Sequence, residues 1–247
     1  MNRIKQLTLV GSAVVALAAP SVSRLQSEPE KPVARIFGKV TFEGPTPKVA
    51  AIKMNADPFC LSAHATPVYP QNLVVGPDGG LQNVLVYVKQ GLENRTFSMP
   101  SDTVRIEQVG CTYSPHVLGA RAGQAVEIVN RDPTLHNIHV LSVKNRPFNV
   151  AQPVEGMHFT RVFRTAEVMV PIKCDVHPWM SAYLGVFDHP CFSVTSADGS
   201  FGISDLPPGD YMIEAWHETL GTLTQTVKLG EGDQRETHFV FKAKAAN

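Results

Sequence analysis

Val170-Pro171-Ile172-Lys173-Cys174-Asp175-Val176-His177-Pro178-Trp179-Met180-Ser181-Ala182-Tyr183-Leu184-Gly185-Val186-Phe187-Asp188 is a polar loop held between two apolar segments. The flanks, 167–172 and 183–187, read as strands because each apolar run is short and bounded by turn residues. The loop presents Cys174, His177 and Met180 at even spacings of three. A thiolate, an imidazole and a thioether are soft ligands suited to copper. A buried thiol and a core-filling methionine are the plainer reading of Cys174 and Met180. That reading leaves a polar Lys-Cys-Asp and a His-Pro-Trp between two apolar strands unexplained. Zinc fits poorly, because thioether is a weak ligand for it. One short loop cannot enclose an ion, so a fourth ligand must come from a distant segment. Asp132-Pro133-Thr134-Leu135-His136-Asn137-Ile138-His139 offers His136 and His139. Residues three apart in a strand face opposite sides, so both are not expected to bind together.

Working outward, strand patterns recur at 36–42, 73–75, 83–89, 104–109, 125–129, 138–143 and 160–163, with a weaker one at 49–54. Val84, Val86 and Val88 alternate with Leu85 and Tyr87, so both faces of that strand are apolar and it should be central. No window sustains the apolar stripe of an amphipathic helix, and turn signals recur at sandwich-like intervals. The expected class is all-β, with at most short helical turns.

After 188 the texture changes. An Asp198-Gly199 turn is followed by Leu206-Pro207-Pro208-Gly209-Asp210-Tyr211 and by strands at 212–216, 222–229 and 237–241. Thr195, Asp198, Gly199, Phe201, Ile203, Leu206 to Gly209 and Tyr211 match a T-x-x-D-G-x-F-x-I-x-x-L-P-P-G-x-Y pattern. This resembles the carboxypeptidase regulatory-like, transthyretin-like β-sandwich. The tail is short for a complete sandwich. Gly38-Lys39-Val40 looks like the opening strand of such domains, which implies that the segment between is inserted into the sandwich. The expected organisation is a signal peptide at 1–19, a flexible leader at 20–32, an N-terminal β segment at 33–71, a metal-binding domain at 72–190 and the small sandwich at 191–247.

The ligand loop resembles that of the cupredoxins, and within them the short amicyanin-type loop Cys-x-x-His-Pro-(aromatic)-Met. Plastocyanins share Cys-x-x-His but place Met two residues further on. Leu135-His136-Asn137-Ile138-His139 resembles the upstream turn that supplies the first histidine, with Leu where Pro is common. The resemblance implies a Greek-key sandwich holding one type 1 copper through His136, Cys174, His177 and Met180. It implies that the backbone N–H of Asn137 points at the thiolate. It also implies that electrons leave through an exposed edge of His177, with Pro178 and Trp179 in an apolar docking patch for redox protein partners.

Arg3 and Lys5 precede a 13-residue, largely apolar run and Ala16-Leu17-Ala18, the pattern of a cleaved export signal and too short for a confident membrane span. An uncleaved N-terminal anchor is the other reading. The chain is then expected to be periplasmic or otherwise exported, with no integral span after cleavage. Lys and Arg total 22 and Asp and Glu 22, so no electrostatic case exists for nucleic acid. With Cys174 a ligand, three cysteines remain of four. Cys60 and Cys111 are the expected disulfide in an oxidising compartment. A second soft-metal site using His64 and His116 is the alternative, and Cys191 would be a buried free thiol. His217 is expected to hydrogen-bond its neighbour Glu218 at a domain seam.

The chemistry expected is one-electron transfer by a carrier. A nitrite reductase-like enzyme would need a histidine adjacent to the thiolate, and Lys173 and Asp175 stand there. A non-redox copper carrier would need an exposed Met- and His-rich run, and none is present.

Overall fold

A computed structural model describes residues 34–243. The expected signal peptide and leader, 1–19 and 20–32, lie outside the described residues. The described residues form one compact unit. Its elements are β1 (Ala34–Glu43), the helix α1 (Pro58–Ser62), β2 (Leu85–Gln90), β3 (Val104–Val109), β4 (Thr112–Ser114), β5 (Val117–Arg121), β6 (Ala125–Asn130), β7 (His136–Val140) and β8 (Phe148–Gln152). They continue through β9 (His158–Val162), β10 (Glu167–Lys173), β11 (Ser181–Phe187), β12 (Phe192–Val194), β13 (Ser200–Leu206), β14 (Gly209–His217), β15 (Gly221–Leu229), β16 (Gln234–Glu236) and β17 (Phe239–Lys242). The class is all-β.

Two sheets, in the orders β5-β11-β10-β7-β8 and β4-β3-β6-β9, share one apolar core. Ile106, Val126 and Ile128 meet Leu118, Ile138, Ile172 and Leu184 across it. This is the sandwich that carries the ligand loop. Two further sheets, β13-β1-β16 with β17 on β1, and β12-β2-β14-β15, share a second core built from Ile36, Val40, Val86, Phe201, Ile213 and Phe239.

Strand pairing corrects the expected boundaries at 71 and 72. β2, read as part of the 72–190 segment, is bonded to β12 and β14 and so belongs to the sheets of the C-terminal tail. β2 is central, as its two apolar faces require. β1 pairs antiparallel with β13 and parallel with β16 and β17, which joins it to the same tail. Gly38 is required there, because a Cβ would lie 1.7 Å from Thr237 O. The weak strand expected at 49–54 does not form, and its backbone tie is Ile52 N–H to Val68 O at 2.8 Å. The chain there turns instead into α1, capped by Asp57 with Pro58 at its first position. β5 went unread in the sequence and lies parallel to β11 at the edge of its sheet. Leu85, Tyr87, Val117 and Phe187 form a third apolar cluster linking strands of the two cores.

Candidate metal centre

The ladder between β10 and β7 places Lys173 opposite His139, so the loop beginning at Cys174 runs alongside the start of β7. Two backbone bonds close that loop: Cys174 N–H to Met180 O at 3.2 Å and Met180 N–H to His177 O at 2.9 Å. Tyr113 Oη donates to Asn137 O at 2.6 Å and fixes the start of β7 against it.

Three ligand atoms converge in this corner. His136 Nδ1 lies 2.9 Å from His177 Nδ1, and Cys174 Sγ lies 3.9 Å from His177 Nδ1. All three residues are buried, and their ligand atoms lie within 4.8 Å of one another. Ligands bound to one small ion at about 2.0 Å for nitrogen and 2.3 Å for sulfur stand roughly 3–4 Å apart. The observed separations fit that requirement. The outer nitrogens are occupied: His136 Nε2–H donates to Asp132 Oδ2 at 2.8 Å, and His177 Nε2–H to Asp57 Oδ2 at 3.1 Å. Carboxylates on Nε2 fix the ring orientation and leave Nδ1 turned inward, the usual arrangement behind a metal-binding imidazole.

Burial, the two carboxylates and the thiol shift these groups in different directions. Burial pushes the His136 pKa down, but the Asp132 carboxylate and Cys174 outweigh it and raise it from its ordinary value. Burial pushes the Cys174 thiol up; hydrogen bonds from His136 and from the backbone N–H groups of Asn137, His177 and Val176 bring it below its ordinary value. His177 is held lower, by burial first and by the neighbouring His136 charge, against the pull of Asp57. A metal ion binds these groups in their deprotonated forms, so its binding would release protons from them. Soft sulfur with two imidazoles suits copper.

Met180 is buried in the same apolar core as Cys174. His139 is not part of the cluster; its Nδ1 bonds Asp175 Oδ2 at 2.9 Å on the outer side. Asn137 uses its side chain as well as its backbone: Oδ1 accepts from Asp175 N–H at 2.6 Å and Val176 N–H at 3.3 Å, and lies 3.2 Å from Cys174 Sγ. Pro178 is exposed, and Trp179 is half-buried along a cavity of about 290 Å³ that Met180 also lines. Its indole N–H donates to Cys111 O at 3.0 Å.

The expectation that His177 exposes an edge is corrected, since the residue is only 2% exposed. Asp57 and Cys60 Sγ, the latter at 3.5 Å, cover its outer nitrogen. Cys60 and Cys111 are joined as a disulfide, which rules out a second site built on their free thiols, and His64 bonds Gly110 O instead. Cys191 is a buried free thiol. The expected His217–Glu218 bond is also corrected: Glu218 pairs with His116, while His217 Nδ1 accepts from Thr219 N–H at 3.2 Å and Leu220 N–H at 3.3 Å.

Sequence reading missed Asp57 and Asp132 as partners of the two histidines. Asp57-Pro58 carried a helix-start signal, but nothing local pointed it towards a loop 120 residues away.

No protein-family model matches the chain, and neither does any curated protein sequence. Among solved structures, part of the chain is similar to a copper-containing nitrite reductase from Thermus scotoductus SA-01, at 23% identity over 40% of this chain and 26% of that one, with a TM-score of 0.34. It is similar to a purple cupredoxin from Nitrosopumilus maritimus at 26% identity over 34% of this chain and 98% of that one, with a TM-score of 0.29. A reduced amicyanin variant aligns at 17% identity over 41% of this chain and 97% of that one, with a TM-score of 0.31. These likenesses span about a quarter of the reductase and nearly all of the two small proteins, and at such scores none decides the chemistry here.

Proposed function

We propose that this chain is an exported one-electron carrier holding a single type 1 copper through His136, Cys174, His177 and Met180. The observation that carries the reading is the inward convergence of two Nδ1 atoms and one sulfur in a buried corner, each imidazole backed by its own carboxylate. When bound, copper supplies a reversible Cu(II)/Cu(I) couple. The protein's residues do the rest. Asp132 and Asp57 hold the imidazole planes, Asn137 and the loop N–H groups hold the sulfur, and the apolar core excludes water from all of them. Met180 would supply a weak thioether ligand, which tunes the potential.

Pro178 is exposed and Trp179 half-buried, and the Trp179 ring lies tilted against the His177 ring with centroids 5.0 Å apart. With Val176 at 44% exposure and Leu135 at 41%, they supply an apolar patch for brief docking of redox protein partners. We read the sandwich of β3 to β11 as a cupredoxin unit inserted between β2 and β12 of a transthyretin-like sandwich. The export reading rests on residues 1–19, and among the described residues no helix is long and apolar enough to cross a membrane.

The test is the optical and EPR spectrum of copper-reconstituted protein. Intense blue absorption with narrow copper hyperfine splitting is expected, and a colourless protein that retains zinc in preference to copper would overturn the assignment. Steady-state nitrite reduction by the copper-loaded chain would favour the enzyme reading instead. Rapid electron exchange with a reduced cytochrome c separates a carrier from a non-redox copper module.

A further inference from the structure

The segment before α1 and the helix itself lie against the outer nitrogen of His177. Asp57 binds three parts of the chain with one carboxylate. Its Oδ1 accepts from Phe59 N–H at 2.8 Å and Cys60 N–H at 3.3 Å, capping α1. Its Oδ2 accepts from Thr134 Oγ1 at 2.8 Å, in the turn before β7, and from His177 Nε2 at 3.1 Å. Cys60 Sγ stands against the same nitrogen at 3.5 Å. The outer edge of His177 is thus covered on two sides by atoms of one five-residue helix and its cap.

So short a helix, more than a hundred residues away in sequence, does not hold this position by its own stability. What secures it is the covalent bond from Cys60 to Cys111. Cys111 sits in a tight turn that the metal corner also grips: its N–H donates to Asp132 Oδ2 at 2.8 Å, and its carbonyl accepts the Trp179 indole N–H at 3.0 Å. Asp132 is the carboxylate that holds His136. The disulfide therefore links the carrier of His177's carboxylate to the turn gripped by His136's carboxylate.

We propose that Asp57 is a positioning residue for His177, and that the Cys60–Cys111 disulfide keeps it seated as a closed cover over that imidazole. The inference rests on the proposed copper site for its redox consequence, but the cover itself is a property of the protein with or without metal. The cover withholds His177 from direct contact with a partner and from solvent, and leaves Trp179 as the nearest accessible ring. Its negative charge, 3.1 Å from His177 Nε2, also favours the more highly charged oxidised state of a metal bound at Nδ1.

The experiment uses the full chain in four forms: wild type, Asp57→Asn, Asp57→Ala and Cys60→Ala/Cys111→Ala. Asparagine preserves a side-chain acceptor for the start of α1 and removes the charge. In metal-free protein, diethyl pyrocarbonate modification of His177 is timed by peptide mass spectrometry, with exposed His158 as the internal reference. We expect His177 in wild type to react at least about tenfold more slowly than His158, and at least about tenfold faster in Asp57→Ala and in the double variant than in wild type. Equal His177 rates in wild type and in both variants would overturn the cover. On copper-loaded protein, Asp57→Asn should raise the reduction potential. An unchanged potential together with unchanged His177 labelling in Asp57→Asn would reduce Asp57 to a helix cap and overturn its positioning role. If wild type fails to bind copper, the copper assignment falls, and the labelling series still decides the cover.

Discussion

Replacing Asp132 by alanine probes the corner at its most heavily bonded point. The residue is 3% exposed, and its carboxylate accepts from Gly110 N–H, Cys111 N–H and His136 Nε2–H, all at 2.8 Å. Alanine leaves three donors without that acceptor. At about 1.5 kcal/mol for each bond to a charged group the loss is about 4–5 kcal/mol. Removing the carboxylate also removes its own desolvation cost, which brings the expected net loss to about 3 kcal/mol. The pH must be chosen from the signs of the two shifts. Asp132 lies below its ordinary value in the folded protein, so its contribution is full above the unfolded carboxylate value of about 3.9 and fades as pH falls through the folded one. His136 lies above its ordinary value, so its contribution is full below about 6.5 and fades as pH rises through the folded value. Both are complete near pH 5.5. Urea unfolding of metal-free wild type and Asp132→Ala at that pH, read by near-ultraviolet circular dichroism, measures the difference. It should shrink on acidification below about pH 4. A difference under about 1 kcal/mol at pH 5.5, or one independent of pH, would refute the reasoning.

Cys174→Ser should abolish the intense visible band of copper-loaded protein while leaving its far-ultraviolet circular dichroism unchanged, because serine offers no thiolate charge transfer. Glu167, whose carboxylate accepts from Ser142, Val143 and Asn145, is drawn down to about 2 by those bonds against the upward push of burial. Its stabilisation is therefore present above the unfolded value of about 4.3 and lost as pH falls towards the folded one, so wild type should exceed Glu167→Gln in stability at pH 6 and the two should converge near pH 2. Gly38→Ala should cost about 3 kcal/mol in a urea titration, since its Cβ would meet Thr237 O at 1.7 Å; a near-neutral result would dissociate β1 from the C-terminal strands.

The ligand-loop pattern was legible because the chemistry is local. Cys174, His177 and Met180 fall within one short loop between two apolar runs, and strand parity sets His136 and His139 on opposite faces, while the choice of His136 came from the family resemblance. The all-β class was legible for a similar reason, since alternation and turn residues are short-range signals. The grouping of strands was only half legible. β2 looked central from its two apolar faces, yet its neighbours β12 and β14 lie far along the chain, and backbone pairing carries no residue code strong enough to name a distant partner.

The sequence by itself singled out the candidate soft ligands, three on one loop and a fourth from the segment around His136. Only the tertiary structure decided their surroundings. It set Asp132 behind His136 and Asp57 behind His177, and it turned an expected exposed edge into a covered one. The reason is physical: a ligand's chemistry resides in its own side chain, whereas its orientation, charge and access to solvent are set by whichever segments the fold packs against it. Here those segments include a five-residue helix tied down by a disulfide that closes a 51-residue separation.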